Sequence, residues 1–316
     1  MKSPFSVISF FITVRCNYKC SYCYLPDPFC SGKEIKPQKI LAKLAKITSS
    51  LDLLGGEPFL EKEKLIDIIQ YSKIYGLKLR SISTNGSIYD KEIINNLKTL
   101  KDFTLQVSMD AASPKTYKLI RNSSHFQEVI GNTREFIKAE LDVILGMVLT
   151  NKNYQEIEDF LKLAEELGAK GISFGAFIPV GRGSKRATWC LNYEQTRYSY
   201  QIIKNLKTKL KIVGFEDQEC PAGVAQVDIL PNGDIYPCAL FFGFEQSKIG
   251  NILDKDLDFS NPWYQELVNF QVPKKCKNCP IPPVCYGGCK AAIYAQHLKF
   301  PEKPEFFCLN KKLYEE

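Results

Sequence analysis

The sequence predicts an α/β protein in which a parallel sheet built from consecutive βα units is followed by a smaller Cys-rich region. Two observations carry the prediction. Short apolar runs alternate with stretches of helical period between Ser6 and Phe177, the pattern of parallel strands joined by helical crossovers. Past Gly183 that rhythm stops and cysteines become the recurring feature. A third observation places the chemistry: the Cys, Gly and small polar motifs fall just after predicted strands, at the carboxyl ends where barrel-type sheets gather their functional loops.

The first strand is expected at about Ser6 to Val14, an apolar run leading straight into a thiol-rich loop. Pro37 suits a first helical turn, and Ile40, Leu41, Leu44 and Ile47 keep helical spacing. Strand two is Leu51 to Leu54. The next helix carries Leu65, Ile68 and Ile69 on one face and ends before Gly76. Strand three is Leu77 to Thr84, a short helix runs from about Asp90 to Leu97, and strand four is Phe103 to Met109. A helix from about Phe126 to Ala139 precedes strand five, Val143 to Leu149. The last unit pairs a helix from Tyr154 to Leu167, stopped by Gly168, with strand six, Gly171 to Phe177. A helix from about Tyr193 to Leu210 bridges to the Cys-rich part. The expected division is therefore 1–186 for the βα units and 187–316 for the rest.

A chain of 316 residues suffices for a large domain and a smaller one. Twelve cysteines without a secretory context argue for a reduced cytoplasmic setting and metal sites rather than disulfides. Lys2 and the run from Phe5 to Val14 imitate a short signal peptide, but no small-residue cleavage site follows. No segment has membrane-spanning length. The formal charge of +7 is mildly basic, and nucleic acid is not an expected partner.

The thiols Cys16, Cys20 and Cys23 are spaced Cys-x3-Cys-x2-Cys, with Tyr22 before the last. Three close thiolates can hold three corners of a cubic iron–sulfur cluster and leave the fourth iron open. A structural zinc site or core thiols are the alternatives. Zinc normally takes a fourth nearby Cys or His, and the only histidines, His125 and His297, are far along the chain. Further motifs follow in order. Gly55-Gly56-Glu57-Pro58 ends strand two, with glycines that let backbone approach a ligand. Ser83-Thr84-Asn85-Gly86 ends strand three, Ser108-Met109-Asp110 ends strand four, Arg121 comes soon after, and Phe177-Ile178-Pro179 ends strand six. Taken singly, these are also ordinary turn sequences.

In this order the motifs resemble those of the radical S-adenosylmethionine (SAM) enzymes. The resemblance implies a partial (β/α)6 TIM-like barrel and a [4Fe-4S] cluster on Cys16, Cys20 and Cys23 whose open iron chelates SAM. It also implies a SAM pocket. Gly55, Gly56 and Glu57 would lie at the amino group. Ser83, Asn85, Ser108 and Asp110 would lie at the ribose and carboxylate, with Arg121 against the carboxylate, and Tyr22 and Ile178 near adenine.

Beyond the barrel, Cys220 precedes Pro231-Asn232-Gly233-Asp234, a strong hairpin turn, and Cys238 follows it. Then come Cys276-x2-Cys279-x5-Cys285-x3-Cys289 and Cys308. A double zinc ribbon is the competing reading. The order resembles the SPASM domain, which holds two auxiliary clusters, three clusters in all. The family pattern implies Cys276, Cys279, Cys285 and Cys308 for the outer cluster and Cys220, Cys238 and Cys289 for the inner one. That leaves one inner position to Cys190, Cys30, an oxygen ligand or no protein group. Counted with their thiolate ligands, the clusters would add roughly five negative charges, balancing much of the basic excess.

Most relatives of this kind modify a ribosomally made peptide. The sulfatase-maturing branch places an Asp after the hairpin-closing cysteine, where this chain has Ala239, so formylglycine formation is not expected. The leading expectation is an oxidoreductase forming a cross-link or an oxidised residue on a precursor peptide. Its implied partners are a flavodoxin- or ferredoxin-type reductant and a separate leader-binding protein. Tetrapyrrole side-chain chemistry and a non-catalytic electron carrier are the alternatives. No general acid or base stands out by spacing.

Overall fold

A computed structural model describes residues 5–29, 32–214, 220–254, 259–271, 279 and 288–300. The strands are β1 (Val7–Phe11), β2 (Ser50–Leu54), β3 (Lys78–Thr84), β4 (Thr104–Ser108), β5 (Asp142–Leu149), β6 (Gly171–Ala176), β7 (Lys211–Val213), β8 (Gln226–Ile229), β9 (Asp234–Tyr236) and β10 (Gly250–Asn251). They form one sheet in the order β10-β9-β8-β1-β2-β3-β4-β5-β6-β7. Strands β1 to β7 are parallel neighbours, and β8 pairs parallel to β1 on its other side. Only β8–β9 and β9–β10 are antiparallel among these pairs.

The helices are α1 (Pro37–Leu44), α2 (Lys62–Ile74), α3 (Lys91–Leu97), α4 (Pro114–Arg121), α5 (Phe126–Lys138), α6 (Ile157–Leu167), α7 (Tyr193–Lys204), α8 (Pro262–Asn269) and α9 (Lys290–His297). Their ends follow local chemistry. Asp90 caps α3 by accepting from the Glu92 and Ile93 amides. Ser113 caps α4 through the Thr116 amide, and α7 begins with a reciprocal Asn192–Gln195 capping box. Gly168 ends α6 at φ +80°.

The parallel sheet read from the sequence is present, and it is longer than six strands. Lys211–Val213 is too short to show a period, yet it adds β7 to β6. Gln226–Ile229, in the Cys-rich part, becomes β8 because Val227 and Ile229 are buried with the core. The sheet thus runs through the expected division near Ala187. The stretch read as one helix from Tyr154 is a 3₁₀ turn (Tyr154–Glu156) followed by α6. The helix α4 was not expected, because Pro114 and its few apolar residues hide it.

The two faces of the sheet differ. Leu51, Leu53, Ile82, Leu105, Val107, Val143, Leu145 and Ile172 are fully buried on the helix side. Residues between them, in register across the strands, are polar or small: Ser9 opposite Asp52 and Asp228, Ser81 opposite Thr104, Ser108 opposite Gly146, and Gly146 opposite Ser173. Strands β2 and β4 alternate buried and half-buried positions throughout. A fully packed barrel interior would carry branched apolar residues on both faces. Here the inner face is polar or small-residued, and the loops at its carboxyl end hold the motifs. Among the described residues no helix is long and apolar enough to cross a membrane.

Candidate functional site

At the carboxyl ends of β1 to β4 lies a cavity of about 350 Å³, within the range that holds small cofactors. Cys16, Cys20 and Cys23 line it together with Gly55, Gly56, Ser83, Asn85, Ser108, Tyr22 and Arg121. Segments distant in sequence therefore converge on one space.

The thiol loop is held against the β2 loop by backbone. The Gly56 and Glu57 amides donate to the Thr13 and Arg15 carbonyls, each at 2.8 Å. A Cβ at Gly56 would stand 2.1 Å from the Arg15 carbonyl oxygen, so the glycine is a steric requirement. On the opposite side, the Arg182 and Gly183 amides donate to the Leu25 and Cys23 carbonyls at 3.0 and 2.9 Å. Gly181 lies at φ +57°, where a Cβ would be 1.9 Å from the Tyr24 carbonyl oxygen. The Asn85 side-chain Nδ2 donates to Asn17 Oδ1 at 2.8 Å and lies 3.9 Å from Cys16 Sγ.

Glu57 and Asp110 stand behind the cavity wall instead of on it. Glu57 is fully buried. Its Oε1 accepts from the Phe59 amide (3.0 Å) and the Thr84 hydroxyl (2.7 Å), and its Oε2 from the Asn85 amide (2.7 Å). The carboxylate latches the β2 loop to the end of β3. Burial raises its pKa, with the Asn85, Phe59 and Thr84 donors opposing the rise. Asp110, at φ +64°, accepts from Arg121 Nη1 (2.9 Å), the Tyr22 hydroxyl (2.6 Å) and the Val148 amide (2.8 Å). Arg121 does reach the cavity, and its Nε is buried without a partner among the described residues. Ile178 is buried with Val180 and Ala292 and does not line this cavity.

Burial pushes the Cys20 thiol up to about 12 and raises Cys16 and Cys23 as well, with Arg121 opposing the rise at each. Such thiols are neutral by themselves, and metal ligation is what would displace their protons. Three thiols around one cavity, with a cation, glycine backbone and hydroxyls beside them, suit a multi-iron cluster and a zwitterionic ligand.

Of the carboxyl-terminal cysteines, Cys276, Cys285 and Cys308 lie outside the described residues, as does Cys30. Cys279 is described as a half-buried position. Cys220, Cys238 and Cys289 influence one another electrostatically and share the main core. Cys190 packs instead with Ile120, Phe177 and Trp189.

Residues 10–164 match the family model of the radical SAM superfamily, and residues 220–280 match that of the SPASM iron–sulfur cluster-binding domain. The chain belongs to the radical SAM superfamily. Within it, the chain is 27% identical over 305 residues to the antilisterial bacteriocin subtilosin biosynthesis protein AlbA of Bacillus subtilis, covering 89% of this chain and 66% of that protein. It therefore spans about two thirds of that relative's length. It is 25% identical to the AdoMet-dependent heme synthase of Methanosarcina barkeri, covering 96% of both. The crystal structure of Streptococcus suis SuiB bound to precursor peptide SuiA superposes with a TM-score of 0.74 at 19% identity, over 96% of this chain and 74% of SuiB. That likeness speaks to the radical SAM fold. Superfamily membership with a SPASM domain implies [4Fe-4S] clusters and SAM.

Sequence reasoning about this radical SAM protein did not single out Thr84, Tyr24, Arg182 or Asp228. Tyr24 and Arg182 line the cavity, and the Arg182 Nε donates to Asp27 Oδ2 at 3.0 Å. The tight Gly181-Arg182-Gly183 sequence was the available signal for the Arg182 loop.

Proposed function

We propose that this chain is an oxidoreductase that removes a hydrogen atom from a ribosomally made precursor peptide and leaves a cross-link or an oxidised residue. The observation that carries this reading is the convergence of Cys16, Cys20, Cys23, the Gly55–Gly56 pair and Arg121 on one cavity. When bound there, a four-iron cluster and SAM supply one electron and a carbon-centred radical able to take hydrogen from an unactivated carbon. The three thiolates hold the cluster. Gly55, Gly56, Ser83, Asn85 and Ser108 present backbone and small polar groups to SAM, and Arg121 meets its carboxylate. Tyr22 closes the wall, Glu57 and Asp110 hold these groups in place, and Ile178 backs the adenine end.

Residues 1–186 form the SAM-binding unit in this reading, and 187–316 the bridging helix and SPASM unit. Cys276, Cys279, Cys285 and Cys308 hold the outer auxiliary cluster and Cys220, Cys238 and Cys289 the inner one, giving three clusters. A flavodoxin- or ferredoxin-type protein supplies electrons, and a separate protein holds any leader. The likeness to the subtilosin biosynthesis protein supports a peptide substrate. A second reading, tetrapyrrole side-chain modification, is favoured by the likeness to the heme synthase over 96% of both chains.

Anaerobically reconstituted protein, given SAM and dithionite, is expected to release 5′-deoxyadenosine, and Cys20→Ala to release none. Wild-type protein that releases none refutes the enzyme reading. Loss of two hydrogens from a peptide encoded beside the gene selects the peptide, and a change in mass of an added tetrapyrrole at its side chains selects the tetrapyrrole.

A further inference from the structure

Cys238 follows the β8–β9 hairpin, and the residue after it, Ala239, donates its backbone N–H to Asp228 Oδ2 at 2.6 Å. Asp228 lies on β8 in register with Ser9 of β1 and is 2% exposed. Its carboxylate also accepts from the Gln226 side-chain amide at 3.3 Å, and Ser9 is its neighbour across the β1–β8 ladder. One buried side chain thus joins the strand leading into the Cys16–Cys23 loop to the turn that carries Cys238.

We infer that Asp228 is a positioning residue that fixes the Cys238 turn, and with it the inner iron–sulfur site, against β1. The inference rests on the assignment of Cys220, Cys238 and Cys289 to that site. Strands β1 and β8 are aligned by their own ladder, but Ala239 lies past the end of β9 and needs another restraint. A carboxylate that accepts from backbone in this way is a strong one, and its removal leaves a half-buried backbone N–H without its partner. Asp228 also takes up an N–H that would otherwise be available to a cluster sulfur, and hydrogen bonds to sulfur help set a cluster's reduction potential. With one protein donor on each oxygen, the carboxylate acts in this inference as an anchor and not as an iron ligand.

The test uses the full chain reconstituted anaerobically as wild type, Asp228→Asn, Asp228→Ala, Ser9→Ala and Cys238→Ala. Iron per chain, electron paramagnetic resonance and redox titration of the auxiliary signal are measured. Asp228→Asn keeps an acceptor for the Ala239 N–H and should keep the wild-type iron content. Asp228→Ala should retain SAM cleavage while the auxiliary signal changes shape and its midpoint moves to more positive potential. The gentler Ser9→Ala should shift the midpoint less, in the same direction. Folded Asp228→Ala and Ser9→Ala proteins with the wild-type signal and midpoint overturn the inference. So does loss of iron from Asp228→Asn equal to that from Cys238→Ala, which would make the carboxylate a ligand. An auxiliary signal unaffected by Cys238→Ala would refute the assignment of the inner site itself.

Discussion

Arg121 Nη1 lies 2.9 Å from Asp110 Oδ2, and the two side chains are 4% and 1% exposed. Tyr22 closes the triangle, donating to Asp110 at 2.6 Å and accepting from Arg121 at 2.8 Å. A buried pair of this kind stabilises little relative to an apolar substitute, but removing one partner strands the other charge away from water. Asp110→Ala should therefore lower unfolding stability by about 3–5 kcal/mol, read from urea midpoints. Asp110→Asn should lose less, since asparagine tolerates the left-handed backbone at this position and can still accept from Arg121. Equal losses for the two variants would refute the ion-pair argument.

Glu57 gives a pH dependence. Burial raises its pKa from the ordinary 4.5, so the folded state holds the proton more tightly than the unfolded chain. The carboxyl's contribution is fully present below the unfolded value and is lost as pH rises through the folded one. The stability advantage of the wild type over Glu57→Gln should accordingly shrink as pH is raised from about 4. Urea titrations of both proteins across that range check it, and an advantage that grows with pH contradicts the assignment.

How much of this was legible beforehand follows from which interactions are local. The strands of the βα part and the order of the motifs show in the sequence because apolar runs, glycines and cysteines mark themselves. The convergence of Gly56 on Arg15 does not show, because it depends on the β1–β2 register. The supporting roles of Glu57 and Asp110 were hidden for the same reason: a carboxylate after a strand looks alike whether it faces a ligand or protein donors brought up from other segments. Asp228 has no motif at all, and only the unexpected pairing of β8 with β1 makes it a neighbour of Ser9.

Gly181 and Gly76 offer a controlled comparison of crowding against backbone strain. Both have positive φ, at +57° and +68°, but a Cβ on Gly181 would collide with the Tyr24 carbonyl while one on Gly76 meets nothing within 4 Å. Gly76→Ala should cost roughly 1–2 kcal/mol from backbone conformation alone. Gly181→Ala should add a further 1–3 kcal/mol or so of overpacking and displace the loop after Cys23, lowering 5′-deoxyadenosine release. Thermal unfolding and product assays on the two variants separate the effects. Similar behaviour would mean that the Gly181 contact relaxes freely.

The two groups of thiols should also separate by experiment. Cys20 is buried at the cavity at the carboxyl ends of β1 to β4, the SAM site in the proposed reading, whereas Cys289 sits at the start of α9 beside Cys220 and Cys238. Cys20→Ala should remove about four irons per chain and abolish SAM cleavage while leaving the auxiliary signal. Cys289→Ala should weaken the auxiliary signal, leave SAM cleavage within about threefold of wild type, since the SAM-side thiols and Arg121 are untouched, and block only modification of the substrate. Iron analysis, paramagnetic resonance and deoxyadenosine release together distinguish the variants. If Cys289→Ala abolished SAM cleavage in a folded protein that retained its SAM-side cluster, the inner thiols would have to act on the first half of the reaction, and the division of labour between the two sites would fail.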